Sequence, residues 1–193
     1  MLASITPLGE WGRHSRWEIT VSAFLLGALG AGALLGAVLG LIGSVLVSGI
    51  GTETRLAVLT AALLVAAALD AGPWAVPGPR RQVDERWLDR YRGWVYGLGY
   101  GSQLGAGVAT AITSAATYAA VLAAFLTADP RRGAVIFGVY GAIRGLTPLA
   151  TARIRRPEDL RAFHLRLERA RRGAARVGIA LLGAGFVLAA LVH

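Results

Sequence analysis

An arginine inside an apolar segment is the residue that most clearly calls for a chemical role. Arg144 follows Ile143, and helical geometry places it about 10 Å from the nearer end of its apolar run. A charge at that depth in a bilayer is costly unless it is paired or reaches the interface, which makes it a functional candidate. Three roles stay open. The first is that its long side chain reaches the membrane interface. The second is that it pairs with Asp70 of an earlier apolar segment, and the third is that it binds an anionic substrate, lipid headgroup or cofactor carboxylate.

A stripe of polar side chains runs along the apolar segment 94–127. Steps of three and four residues predict one helical face, formed by Tyr96, Tyr100, Gln103, Gly107, Thr110, Ser114 and Thr117. Serine and threonine can bond to carbonyls of their own helix, whereas Gln103 needs a partner on another helix. The stripe therefore predicts either hydrogen bonds between helices or a path for water or substrate. The candidate site comprises Arg144, Asp70, Gln103, Thr110, Ser114, Thr117, Tyr100 and Tyr140.

Glycines recur at every fourth position in three apolar segments. They are Gly32, Gly36 and Gly40, then Gly93, Gly97, Gly101 and Gly105, and finally Gly141 and Gly145. Between helices in lipid there is no hydrophobic driving force, so close backbone approach through small residues supplies the packing. This spacing predicts helix packing, either within the chain or in an oligomer.

The composition predicts an all-α integral membrane protein. Hydrophobic residues make up 55% and charged residues 16%, with a mean hydropathy of +0.56, whereas soluble domains average about 45–50% and 25%. A span needs about 20 apolar residues. Five segments qualify as a bundle in one domain covering residues 1–193, namely 18–48, 55–72, 94–127, 134–151 and 173–192. The first and third are longer than one span needs, which predicts tilt, a kink, or a span with a re-entrant piece.

The distribution of arginines predicts the topology. With five spans, sixteen arginines fall on the side of the N-terminus, whereas Arg55, Arg131 and Arg132 fall on the other side. Positive residues accumulate in the cytoplasm, so we expect a bacterial cytoplasmic membrane protein with a cytoplasmic N-terminus and an external C-terminus. The net charge of +9 is thereby explained without nucleic acid as a partner.

The segment 157–172 reads as an amphipathic helix. Pro157 and two acidic residues after it are typical of a helix start, and Leu160, Phe163 and Leu167 share one face. Arginines on the other face predict contact with anionic lipid headgroups on the cytoplasmic side. A solvated connector and a docking face for a partner remain alternatives.

Motifs for catalysis and for cofactors are missing from the sequence. The chain has no cysteine, and His14, His164 and His193 are far apart, which excludes thiol chemistry and argues against a zinc or haem site. Neither a GxSxG, a P-loop nor an HExxH motif is present. We therefore predict no cofactor and no metal, and an enzyme is disfavoured without being excluded.

Two segments share a characteristic pattern of glycines and polar residues, the glycine-rich 97–105, GLGYGSQLG, and 138–149, GVYGAIRGLTPL. Both segments resemble CcdA/DsbD-type membrane proteins of the wider amino-acid exporter-like superfamily. The resemblance implies two inverted three-helix repeats, so five spans would mean one missing helix. Family members conduct reducing equivalents through a cysteine in each repeat. This chain has none, so the resemblance does not extend to that chemistry.

Two main functional hypotheses follow from these features. The first is a non-catalytic multi-pass membrane subunit that packs with, and stabilises, a larger membrane complex, because few ionisable groups lie inside the apolar segments. The alternative is a small transporter or exporter of an anionic or polar solute, using Arg144 and the face of Gln103, Thr110, Ser114 and Thr117. Either would involve another membrane protein or a second copy of the chain. A membrane-embedded enzyme or quinone-linked redox component is a third, weaker hypothesis.

Overall fold

Every regular element of the described residues is helical. The structure, a computed structural model, describes residues 5–72, 76–78, 86–107, 112, 114–152, 154, 156, 158–159 and 165. Its helices are α1 (Pro7–Gly12), α2 (Trp17–Leu46), α3 (Thr52–Ala71), α4 (Trp87–Arg90), α5 (Gly93–Gly105), α6 (Ala116–Leu126) and α7 (Pro130–Gly145), followed by a 3-10 helix (Thr147–Thr151). The prediction of an all-helical chain is confirmed for this part of the sequence.

Three of the five predicted spans correspond to helices long and apolar enough to cross a membrane. These are α2, α3 and the segment Pro130–Thr151 formed by α7 with its 3-10 extension. The overlong first segment is one continuous 30-residue helix. The count of five spans is not confirmed. The fifth span (173–192) and most of the predicted amphipathic helix (157–172) lie outside the described residues.

The predicted third span is not one helix, so the expectation of a single continuous polar face along 94–127 is wrong. Helix α5 ends at Gly105, and Gly107 follows with a φ of 69°. A glycine in this left-handed conformation just after a helix is a common helix terminator, because it has no Cβ to oppose the positive φ. The Gly107 amide closes the end by donating to the Leu104 carbonyl at 3.1 Å.

The residue contacts group into two compact units. The first unit comprises Met1–Leu34, Pro79–Ala111 and Gly138–Glu168, and the second comprises Leu35–Gly78, Ile112–Phe137 and Arg169–His193. Helices α2 and α7 each contribute one part to each unit.

In the first unit, α5 packs against the beginning of α2 through glycines. A Cβ on Gly97, Gly101 or Gly105 would overlap a backbone carbonyl of α2. Those carbonyls belong to Thr20, Phe24 and Ala28. Because both series advance by four residues, the two helices run parallel with their backbones in contact, as small residues allow.

Aromatic side chains fill the space beside this helix contact. Tyr96 and Tyr100 of α5 are almost fully buried with Phe24 and Val21 of α2, and Ile5 joins the same cluster. The indole of Trp87 stacks on Tyr100 with ring centroids 6.0 Å apart. The glycines bring the two backbones together, and the aromatic residues fill the space beside that contact.

In the second unit, α3 and α6 pack antiparallel. Asp70 near the end of α3 contacts Ser114 just before α6, whereas Arg55 near the start of α3 contacts Leu126 at the end of α6. Their shared core is built from small residues, Ala66, Ala115 and Ala119. The second part of α2 packs through Gly36, Gly40 and Gly43 against carbonyls of residues 125–133.

Candidate functional site

The end of α5 lies beside the middle of α2. Gly105 packs against Ala28, which is completely buried, and Ala28 is about 16 Å from the start of α2 at 1.5 Å per residue. Eighteen residues of α2 follow Ala28. Helix α5 thus stops partway along the longest apolar helix of the described residues.

Helix α7 meets α2 and α5 at the same point. A Cβ on Gly141 would overlap the Ala28 carbonyl and touch the Cα of Gly105, and a Cβ on Gly145 would touch Ala28. All nine glycines of the predicted series are buried. Three helix backbones therefore meet at Ala28, which fixes the position of the α5 terminus.

The α5 terminus carries polar groups in its last turn. Gln103 is half-buried there. The carbonyls of Ser102 and Leu104 accept hydrogen bonds from the amides of Ala106 and Gly107, at 3.0 and 3.1 Å. The last carbonyls of a helix carry partial negative charge, so this end of α5 favours a cation or a hydrogen-bond donor.

Arg144 lies in the last turn of α7, next to the glycine that packs on Ala28. Its Nη1 donates a hydrogen bond of 2.6 Å to the hydroxyl of Tyr140, and its Cζ lies 5.5 Å from the centroid of that ring. The phenol fixes the orientation of the guanidinium by a hydrogen bond and a cation–π contact. A neutral phenol does not compensate the positive charge, so the pair can still attract an anion.

The other polar candidates belong to the second unit. Asp70 accepts a hydrogen bond from the Ser114 hydroxyl at 2.6 Å and another from the Ala115 amide at 2.7 Å. It thereby satisfies backbone and side-chain donors at the start of α6, as an N-capping side chain does. Asp70 and Arg144, considered above as a possible pair, belong to different units, and each contacts a partner within its own unit. Thr117 is buried in α6, and Thr110 lies outside the described residues.

Sequence reasoning missed a buried carboxylate in the first unit. Glu10 is fully buried and accepts hydrogen bonds from the Tyr96 hydroxyl at 2.5 and 2.6 Å, from the Thr20 hydroxyl at 2.8 Å and from Arg13 at 2.8 Å. Burial alone would lower the pKa of Arg13, but its hydrogen bonds to Glu10 and Tyr96 outweigh this and raise it. The sequence offered one signal for the helix that carries Glu10, namely Thr6 followed by Pro7, because this pair is typical of a helix start.

The described residues contain no group of three or more histidine, aspartate or glutamate side chains that could hold a metal ion. The comparisons with known proteins found no matching family model, no similar curated protein and no similar solved structure. The resemblance to CcdA/DsbD-type proteins therefore stays a prediction.

Proposed function

We propose that the protein is a small membrane transporter or exporter of an anionic or polar solute, with Arg144 and Gln103 contacting the solute. The observation that carries this proposal is the position of the α5 terminus beside Ala28. It favours the transporter over the non-catalytic subunit, because a helix that stops partway through a bundle is a feature of transporters.

Helix lengths support a location of this terminus within the apolar layer. The 30 residues of α2 extend about 45 Å, whereas the hydrocarbon core of a bilayer is about 30 Å thick. A point about 16 Å from the start of α2 falls inside that layer wherever both helix ends reach its faces. Non-helical backbone at such depth is tolerated where it is buried in protein or lines a polar cavity.

The charge of Arg144 supports an anionic group on the solute, whereas the carbonyls at the end of α5 favour a hydrogen-bond donor on the same solute. An arginine in an apolar helix is retained at a cost, and such residues mark substrate or ion pathways. Gly141 lies one residue from Tyr140 and touches Gly105, so the Arg144–Tyr140 pair lies within about one turn of the α5 terminus. Gln103 adds a side chain that can both donate and accept.

The arginine distribution supports a cytoplasmic-membrane location and an orientation of the chain in that membrane. We place the protein in a bacterial cytoplasmic membrane with its N-terminus in the cytoplasm and its C-terminus outside, because sixteen arginines lie on that first side of the five predicted spans and three on the other. The arginines of segment 157–172 would then face anionic headgroups of the cytoplasmic leaflet.

Transport is tested by reconstituting the purified protein in liposomes and recording charge movement on a solid-supported membrane. Phosphate, sulfate, short carboxylates and amino acids serve as probes. We expect one class to give a saturable signal that Arg144→Ala abolishes and Gln103→Ala reduces. Arg90→Ala and Ser102→Ala are matched controls, since Arg90 is exposed and the Ser102 hydroxyl bonds to Leu98 of its own helix at 2.8 Å. Equal signals from Arg144→Ala and the original protein would contradict the proposal.

A non-catalytic membrane subunit is the second candidate. Helix α3 favours the subunit, because only 6% of the residues in its apolar 18-residue stretch are buried. Val58, Leu64 and Val65 are exposed on this helix. A face of this kind contacts either lipid or a partner. Native mass spectrometry after gentle extraction from the host membrane separates the two, since a stoichiometric protein partner lost in Leu64→Ser would favour the subunit.

A further inference from the structure

The second unit contains a cavity of about 280 Å³ at one end of its helices. It lies between the first turns of α3, the last turn of α6 and the first turns of α7. Four polar side chains line it, those of Thr52, Arg55, Thr127 and Arg132. The remaining walls are apolar and include Leu56, Leu59 and Ile136. The cavity therefore has a cationic part that can form hydrogen bonds and an apolar part.

Two arginines and no carboxylate are found among the residues that line the cavity. Glu53 follows Thr52 in sequence but is exposed and does not line the cavity. The other acidic residue close in sequence is Asp129, whose Oδ1 accepts hydrogen bonds from the amides of Arg131 at 2.7 Å and Arg132 at 3.0 Å. That carboxylate is engaged with backbone amides at the start of α7. The cavity consequently presents an excess of positive charge.

The guanidinium of Arg55 has hydrogen-bonding capacity to spare. Its Nη1 donates to the Leu126 carbonyl at 3.3 Å. Its Nε is buried and has no hydrogen-bond partner among the described residues. A buried N–H without an acceptor is costly, and an anionic oxygen in the cavity would supply one.

We infer that this cavity binds the phosphate of an anionic phospholipid headgroup. Arginine is suited to phosphate because its planar donors match two oxygens at once. The Thr52 hydroxyl accepts from Arg55 Nη2 at 3.5 Å, so its own proton can be donated to a further phosphate oxygen. The apolar walls favour a lipid over free phosphate, because an acyl chain would cover Leu56, Leu59 and Ile136. The position fits, since α3 and Pro130–Thr151, which are long and apolar enough to cross a membrane, both begin at this end.

The test is native mass spectrometry of the full chain in detergent, titrated with phosphatidylglycerol, with phosphatidylcholine, or with inorganic phosphate. We expect phosphatidylglycerol to remain bound at concentrations where phosphatidylcholine does not, and excess inorganic phosphate not to displace it. Equal retention of the two lipids would overturn the inference. Displacement by inorganic phosphate at a similar concentration would identify a free-anion site and overturn it as well.

Variants locate the binding to the cavity. Arg132→Ala is expected to weaken phosphatidylglycerol binding at least about tenfold, the loss of one charge-assisted contact. Arg131→Ala is the matched control, because Arg131 is the exposed neighbour and does not line the cavity. Equal losses in both variants would show a general charge effect and refute the site. Arg55→Lys keeps the charge but not the planar donors and should weaken binding by a smaller factor, with α6 still held in place.

Discussion

Glu10 in the first unit and Asp70 in the second are both carboxylates held by hydrogen bonds inside the protein, and their partners differ in charge. Glu10 is fully buried and contacts the guanidinium of Arg13 as well as two hydroxyls. Asp70 is half-buried and contacts only neutral donors among the described residues, the Ser114 hydroxyl and the Ala115 amide. The first site requires a negative charge, whereas the second requires hydrogen-bond acceptors.

This difference has consequences for stability. Removing one member of a buried ion pair leaves the other charge without compensation, which typically costs about 3–5 kcal/mol. Removing an N-capping side chain costs about 0.5–2 kcal/mol, and asparagine caps as well as aspartate. Replacing each carboxylate by its amide therefore distinguishes the two roles.

The largest effect is expected for Glu10→Gln. The amide keeps the size of the side chain but not its charge, so Arg13 and Tyr96 lose a common anionic acceptor. We expect the free energy of unfolding to fall by about 3 kcal/mol, measured as a lower midpoint in thermal unfolding in detergent followed by circular dichroism. Glu18→Gln is the control, since Glu18 is exposed. Similar midpoints for the two variants would show that the Glu10 charge is not needed.

The next largest effect is expected for Gly93→Ala, which disturbs the same cluster through packing. A Cβ at Gly93 would lie 2.5 Å from the Thr20 hydroxyl and 3.4 Å from the Glu10 carboxylate. Thr20 would have to move, and overpacking of this kind costs about 1–3 kcal/mol. Gly30→Ala is the control, because a Cβ there meets nothing within 4 Å and alanine favours the helix. A destabilisation as large in Gly30→Ala would point to a general intolerance of alanine.

In the second unit, Asp70→Asn is expected to cost less than about 0.5 kcal/mol, since asparagine caps as well as aspartate. Its carbonyl oxygen can accept from the Ala115 amide, and its NH₂ can donate to the Ser114 hydroxyl, which rotates to suit. Asp70→Ala removes both contacts and should cost about 1–2 kcal/mol. The two variants are compared by thermal unfolding at neutral pH. A loss in Asp70→Asn as large as that in Asp70→Ala would mean that the charge of Asp70 matters, contrary to the comparison.

The fold was predictable where it depends on local sequence. Long apolar runs predict α2, α3 and α7, because the length and hydropathy of a run are properties of the run itself. The end of α5 was not predictable, because the segment contains Gly97, Gly99, Gly101, Gly105 and Gly107. Which of these glycines takes a positive φ is decided by packing that the sequence alone does not display.

The candidate site was predictable in its residue types and less so in its partners. Arg144 is conspicuous as a charge in an apolar run, and Tyr140 lies four residues earlier, the spacing at which helical side chains meet. Glu10 gave no comparable signal. Its burial depends on contact with Tyr96, which is 86 residues away in sequence, and a glutamate near the N-terminus, shortly before Arg13 and Arg16, looks like part of a solvated terminus.

Asp129 extends the comparison to a carboxylate just before α7 and gives the smallest expected effect. Its pKa is lowered from the usual 3.8, first because the Arg132 amide donates to it and further by the Arg131 amide, while burial opposes the shift. A carboxyl group whose pKa is lower in the folded state than in the unfolded chain stabilises the folded state. This stabilisation is complete at pH values above the pKa of the unfolded chain, and it is lost as the pH falls through the pKa of the folded state.

The measurement is the thermal midpoint of the original protein and of Asp129→Asn between pH 6 and pH 3. Asparagine keeps a capping oxygen for the start of α7 but does not titrate there. We expect the difference between the two midpoints to be constant down to about pH 5 and to shrink below it, because the unfolded chain takes up a proton before the folded one does. A difference that grew on acidification would require a raised pKa for Asp129, and hence a desolvation stronger than both of its amide hydrogen bonds.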